Sequence, residues 1–400
     1  MRPIHYYLLG TGGWFFAFGM QNVMFAWLVT MVLRETPELV GIAQMMLLLP
    51  GTLLILIGGT YADRFGGRRI VMGAQTLAAC GPLLLLVLIW NDQLSYSSML
   101  VYAVLMGCAT AFVTPARDGL LNEIAEGRVQ RAVMLTSVIQ FGGQLVGISV
   151  AGLADSLGAE PVLAIQSVIL GLGVLAFVVI PPPATHGDRV ETPKLIKSLV
   201  EGARTVFSSA SMRVIVVQNV AMAMFFMGGY IVTLPLLVRD VFSGSAQDLA
   251  IMNGVNSLGL VSTILVLLRF GEVARPGRAL ILSQGIGAVV LAVVGLAGSF
   301  PIAVSVLFIW GMCGGIAMTM ARTIMQEQAP PSQRGRVMSF YAFSFMGAGP
   351  LGALVNGYLV EQLGPQNALL CCGAAMLLVV LAVAFGSRLW TLTQHHPVPA

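Results

Sequence analysis

The chain has 400 residues, 57% of them hydrophobic and only 10% charged, with a mean hydropathy of +0.88 and a net charge of +4. That balance excludes a water-soluble protein, in which about a quarter of the residues are charged, and leaves an integral membrane protein. The small positive charge does not mark a nucleic-acid surface, because membrane chains gather Lys and Arg on one side of the bilayer for topological reasons.

The first apolar run continues from Ile4 to Leu33 without a small-residue cleavage site, so it reads as a spanning helix and not as a removable leader. A helix needs about 20 apolar residues to cross the hydrocarbon. The sequence predicts six such spans near 6–33, 39–61, 70–90, 97–116, 132–154 and 161–180. After a long polar connection, six more follow near 214–238, 248–270, 277–298, 301–322, 336–360 and 366–386. The expected protein is therefore all-α, with twelve transmembrane helices. Residues 1–180 form an N-terminal six-helix bundle, 181–213 a linker, 214–386 a C-terminal six-helix bundle and 387–400 a tail. The linker opens on Pro181, Pro182 and Pro183. It then sets Leu195, Ile196, Leu199, Val200, Val206 and Phe207 at helical spacing beside Lys194, Lys197 and Arg204, the pattern of an amphipathic helix on a membrane face.

Of the 21 basic residues, only Arg34 and Arg239 fall in odd-numbered loops. The positive-inside rule then puts both termini and the linker in the cytoplasm. An offset of 205 residues brings Arg64, Phe65 and Gly66 onto Arg269, Phe270 and Gly271. It also brings Arg117 onto Arg322, Arg131 onto Arg336, and Gly147 and Gly152 onto Gly352 and Gly357. Arg is rare in this chain, so the matches point to an internal repeat. With six helices per half, the two bundles share one orientation and are related by a parallel pseudo-two-fold. Cys80, Cys108, Cys313, Cys371 and Cys372 lie in apolar stretches without ligand spacing, and are expected as small buried side chains. No metal or cofactor is expected. The four His lie in terminal or loop segments and no hydrolase, zinc or nucleotide-binding motif is present, so an enzyme is not expected.

Between spans two and three the chain reads Gly59-Thr-Tyr-Ala-Asp63-Arg64-Phe-Gly66-Gly67-Arg68-Arg69. This resembles the G-x-x-x-D-R-x-G-R-R signature of the major facilitator superfamily, with Gly67 where the first Arg of the closing pair usually stands. The resemblance covers the whole chain and implies a transporter with a cytoplasmic gating loop of Gly59, Asp63, Arg64, Gly66, Arg68 and Arg69. It implies that Asp63 latches onto the start of the eleventh span, near Arg336. The signature's Arg usually pairs with an acid near the fourth span. With Gly67 in its place, Arg68 is expected to face Asp118 or Glu123, beside Arg117. The Pro115-Ala116-Arg117-Asp118-Gly119-Leu120-Leu121 stretch resembles the branch containing bacterial enterobactin and macrolide exporters. Gly143-Gln-Leu-Val-Gly147-Ile148-Ser-Val-Ala151-Gly152 resembles a degraded antiporter motif, although close helix packing accounts for it equally.

No acid sits at the centre of a predicted span, so no midplane proton carrier is legible. The polar groups at depth are amides: Gln21 and Asn22, Gln140 and Gln144, Gln218 and Asn219, Asn253 and Asn256. Phe25, Phe112, Phe226 and Tyr230 accompany them as cavity candidates, and all of these also serve to glue helices together. The expectation is a secondary transporter working by alternating access in a bacterial inner membrane. Proton-coupled efflux of a small neutral or amphipathic molecule, by a monomer in the lipid bilayer, is the expected activity. Uptake of a metabolite, or a receptor that does not transport, is the alternative.

Overall fold

A computed structural model describes residues 3–125, 129–181, 195–270, 273–331 and 333–391, and every regular element among them is a helix. In chain order the helices of the first half are α1 (Pro3–Trp27, continued by a π-helical turn Leu28–Val32), α2 (Pro37–Phe65), α3 (Gly67–Trp90), α4 (Tyr96–Ile124), α5 (Val129–Ala151), the short α6 (Ala154–Leu157) and α7 (Ala159–Val179). After the linker helix α8 (Leu195–Ser208) comes α9 (Ala210–Ala221), which runs through two π-helical stretches, Met222–Met227 and Gly229–Thr233, into α10 (Leu234–Asp240). Then follow α11 (Ala246–Phe270), α12 (Pro276–Leu296), α13 (Phe300–Gln328) and α14 (Arg334–Gly386), closed by a short turn Arg388–Thr391. Among the described residues, eleven helices are long and apolar enough to cross a membrane.

α14 is unlike the others. Its 53 residues would reach about 80 Å at 1.5 Å per residue, far beyond a hydrocarbon core of about 30 Å. It is interrupted at Gly364, whose φ of 77° and ψ of 162° are not helical, and Pro365 follows at once. The segments 334–363 and 365–386 are thus separate helices.

The chain divides into two compact units. The first is Met1–Thr192 with Ser243–Gly254, and the second is Pro193–Phe242 with Val255–Ala400. In the first, α1 lies against α5 and α7, α2 against α4, and α3 against α4 and α7. Buried amides tie these helices to each other's backbone: Gln75 Nε2 donates to the Leu170 carbonyl at 3.1 Å and Gln166 Nε2 to the Ala17 carbonyl at 3.2 Å. In the second unit α12 packs on α13 and α14, and α14 lies along the π-helical stretches. α8 also lies on α14: Val206 is buried, Thr205 bonds Gln333, and Phe207 meets Phe340 edge-on at 6.1 Å. The linker helix is therefore seated on protein along one face, while Val200 and Phe207 keep most of their surface exposed.

Large apolar side chains cover the outer faces of both units, among them Leu9, Leu172, Leu265, Leu378 and Phe385, each more than half exposed. Such surface has its solvent in lipid. Two of the thiols belong to it. All five cysteines are free, and Cys80 and Cys371 are exposed, not buried as the sequence led us to expect. In lipid, outward is an apolar environment too.

Candidate functional site

In the first unit, α2 runs on through Asp63 and Arg64 and stops at Gly66, whose φ of 88° favours a residue without a side chain. α3 begins directly at Gly67, where a Cβ would overlap the Ala116 carbonyl of α4, so the Arg usual at this place has no room. The close approach of α2 to α4 is made by Gly58 and not by Gly59. A Cβ on Gly58 would overlap the Ala111 carbonyl, whereas one on Gly59 would meet Pro115 at an ordinary 3.9 Å.

Arg68 departs from the expected pairing. Its Nε donates to the Phe177 carbonyl at 3.0 Å and its Nη2 to the Val178 carbonyl at 2.6 Å. These carbonyls belong to the last turn of α7 and carry the negative end of the helix dipole; that of Phe177 also accepts from the Ile180 amide at 3.2 Å. Asp118 Oδ1 accepts instead from its neighbour Arg117, at 3.3 Å from Nε and 3.2 Å from Nη2. The Arg117 guanidinium lies 4.6 Å from the centroid of the Phe15 ring and is the one charged group buried among the described residues. Asp63, Arg69 and Glu123 are exposed, as is Arg64, which lies over Phe65. In the second unit Arg336, in the first turn of α14, pairs with Glu201 of α8.

The second unit also holds a cavity of about 170 Å³. Met222, Phe226, Met227 and Tyr230 of the π-helical stretches form one wall, with Asn256 of α11, Trp310 and Met318 of α13 and Phe345 of α14 around it. Trp310 is the common partner of the rings: Phe226 meets it edge-on at 5.6 Å and Tyr230 at 5.9 Å with a 42° tilt. No charged side chain lines the space. Flat ring faces and soft thioethers accept planar apolar groups in several orientations. The Asn256 amide, which donates to the Leu307 carbonyl at a long 3.4 Å, adds one polar handle.

Of the twelve cavity candidates, Phe226, Tyr230 and Asn256 therefore meet at one space. The others lie elsewhere. Phe25 stacks on Tyr102 at 5.9 Å, and Phe112 meets Tyr61 edge-on at 6.1 Å. Asn219 fastens α9 to α14 through the Tyr341 carbonyl at 3.0 Å and Ser344 Oγ at 2.8 Å. Asn253 donates to the Leu249 carbonyl of its own helix at 2.8 Å. Gln21 and Gln218 are buried, the first with Oε1 and the second with both amide atoms unpaired. Asn22, Gln140 and Gln144 are partly exposed. Sequence reasoning missed Trp310, Met318 and Phe345. A signal existed in Trp310-Gly311 followed by Gly314-Gly315, since small residues beside a ring leave space over its face.

Comparison with known proteins agrees with this architecture. The family described as transmembrane secretion effector, a branch of the major facilitator superfamily, matches residues 8–396. The multidrug efflux pump Tap of Mycolicibacterium fortuitum is 26% identical over 382 residues, covering 93% of this chain and 92% of its own. The enterobactin exporter EntS of Shigella boydii is 24% identical over 345 residues, covering 81% and 77%. Among solved structures, the nucleoside transporter NupG superimposes with a TM-score of 0.74 at 16% identity over 96% of this chain and 98% of its own. The POT family transporter PepTSo does so with 0.74 at 14% identity over 98% and 99%. The chain belongs to the transmembrane secretion effectors of the major facilitator superfamily: it is a multi-pass membrane transporter and not an enzyme.

Proposed function

We propose that the protein is a secondary active exporter that works by alternating access, extruding a small neutral or amphipathic molecule in exchange for protons across a bacterial cytoplasmic membrane. The observation that carries the substrate class is the Trp310 cavity, walled by rings and thioethers with one amide and no charge. An anion entering it would lose hydration without gaining a cation. Export is supported by the relatives, a multidrug efflux pump and an enterobactin exporter. Proton exchange follows the family resemblance. Since no Asp or Glu among the described residues is buried, the candidate carriers are Asp63, Asp118 and Glu327 at the helix ends.

The proposal counts α14 as two spans, which makes twelve, with 1–180 and 214–386 as the two bundles, 181–213 as their linker and 387–400 as a tail. Both termini face the cytoplasm, the unit is a monomer, and the Asp63 loop gates the cycle.

The experiment is movement of the planar aromatic dye Hoechst 33342 in proteoliposomes, with and without a pH gradient. Transport should follow the gradient and stop with an uncoupler. Trp310→Ala should raise the half-saturating concentration about tenfold or more. Equal movement without any ion gradient would exclude proton exchange. Asp63→Asn should slow turnover with normal membrane insertion, and wild-type turnover in that variant would remove Asp63 from the gate.

A further inference from the structure

The helix that carries the aromatic wall is not a continuous α-helix: two π-helical stretches, Met222–Met227 and Gly229–Thr233, follow one another within it. Wider i→i+5 turns are rare and persist where the surroundings hold them. Here the holder is Asn356 of α14, which is fully buried. Its Nδ2 donates to the Met224 carbonyl at 2.9 Å, inside the first stretch. Its Oδ1 accepts from Thr233 Oγ1 at 3.1 Å, at the end of the second. The second amide hydrogen serves the Gly352 carbonyl at 2.9 Å, and Oδ1 also accepts from Cys372 Sγ at 3.2 Å. Two donors and two acceptor positions are all used. A buried amide satisfied in this way specifies one arrangement instead of destabilising it.

Gly228, between the stretches, makes the approach possible, since a Cβ there would overlap the Asn356 amide and the Gly352 carbonyl. Phe226 and Tyr230 lie between the two clamped points, Met224 and Thr233. Asn356 itself does not line the cavity. The 205-residue offset places Ala151 at the equivalent point of the first half, so that half has no matching amide.

We infer that Asn356 is a positioning residue of the cavity: it fixes the π register of 222–233 and thereby the angle at which Phe226 and Tyr230 meet Trp310. Successive residues of an α-helix are about 100° apart around the axis. Return of one π turn to α register therefore swings the rings beyond it off Trp310. The inference rests on the proposal that this cavity takes the substrate.

The test uses full-length protein carrying Trp14→Phe, Trp27→Phe, Trp90→Phe and Trp390→Phe, so that Trp310 is the sole tryptophan. Onto it are placed Asn356→Ala, Asn356→Asp, which keeps an acceptor and removes both amide hydrogens, and Thr233→Val. The last removes one hydroxyl and serves if the Asn356 variants do not fold. Without ligand, Trp310 emission should shift and deuterium uptake across 222–233 should rise. In proteoliposomes the half-saturating concentration of Hoechst 33342 should rise about five- to tenfold with turnover at saturation nearly unchanged. Unchanged emission and exchange in a folded variant would overturn the inference whatever transport does. Altered emission with unchanged half-saturation would uphold the register and overturn the cavity as the substrate site, so the two failures are told apart.

Discussion

Two arginines show how differently one residue type is used. Arg68 gives hydrogen bonds to two carbonyls at the C-terminal end of α7, that of Phe177, which also accepts from the Ile180 amide at 3.2 Å, and that of Val178. Arg117 is buried against a ring and a neighbouring carboxylate that is itself 64% exposed. Removing Arg68 takes the donor from the Val178 carbonyl and one of two donors from that of Phe177, so Arg68→Ala should lower stability by about 1–2 kcal/mol, a figure already reduced for partial exposure. Replacing Arg117 by an apolar residue of similar length removes a buried charge and leaves Asp118 in contact with solvent. Arg117→Met should change stability by less than about 1 kcal/mol. Thermal unfolding in detergent compares the two, and a larger loss for Arg117→Met would reverse the assignment. Loss of transport in Arg117→Met at normal stability would mark a part in the cycle. The sequence located the Asp63 to Arg69 loop but not these partners, because a pairing across helices depends on helix rotation, which no local spacing encodes. Gly67 is the counterexample: its departure from the family pattern was visible, and the Ala116 carbonyl behind it is the reason.

Helices were legible where they cross hydrocarbon and less so at their ends. α2, α4 and α13 extend past the apolar runs, to Phe65, Ile124 and Gln328, because a helix stops where the backbone turns, not where hydropathy falls. The π-helical stretches were illegible: Met222 to Thr233 is apolar throughout, and its register is set by Asn356, over a hundred residues away. In the linker helix Val206 is buried and Phe207 meets Phe340 of α14, while Val200 and Phe207 keep most of their surface exposed. The break in α14 belongs to this scale. Gly364 has backbone angles that residues with a Cβ avoid, so Gly364→Ala should lower stability by roughly 1–3 kcal/mol. Gly298→Ala is the control, since that glycine has open space and an ordinary φ. Equal unfolding temperatures for the two would mean that the break is not imposed at Gly364.

At the scale of the molecule the halves are alike in plan and unequal in detail. Gly147 and Gly352, paired by the repeat, each leave the place of a Cβ to a carbonyl of a preceding helix, Phe16 in one unit and Ala223 in the other. Arg117 is buried whereas its repeat partner Arg322 is exposed, and Asn356 has only Ala151 opposite it. The paired glycines share one packing role, whereas the buried Arg117 and Asn356 each belong to one half alone. Topology is the property of the whole chain that the basic residues predict most directly, and it also decides the number of spans. If 334–363 and 365–386 each cross the membrane, residue 361 and residue 391 lie on opposite sides. A single uncrossed end would leave them on the same side. Single cysteines introduced as Gln93→Cys, Glu361→Cys, Gln326→Cys and Thr391→Cys, in protein whose native cysteines are Ser, all occupy exposed positions. With a membrane-impermeant maleimide and intact cells, the first two should label and the last two should label only after permeabilisation. Labelling of Glu361→Cys and Thr391→Cys together would remove the twelfth span. Labelling in the reverse order throughout would invert the orientation that nineteen of the 21 basic residues imply.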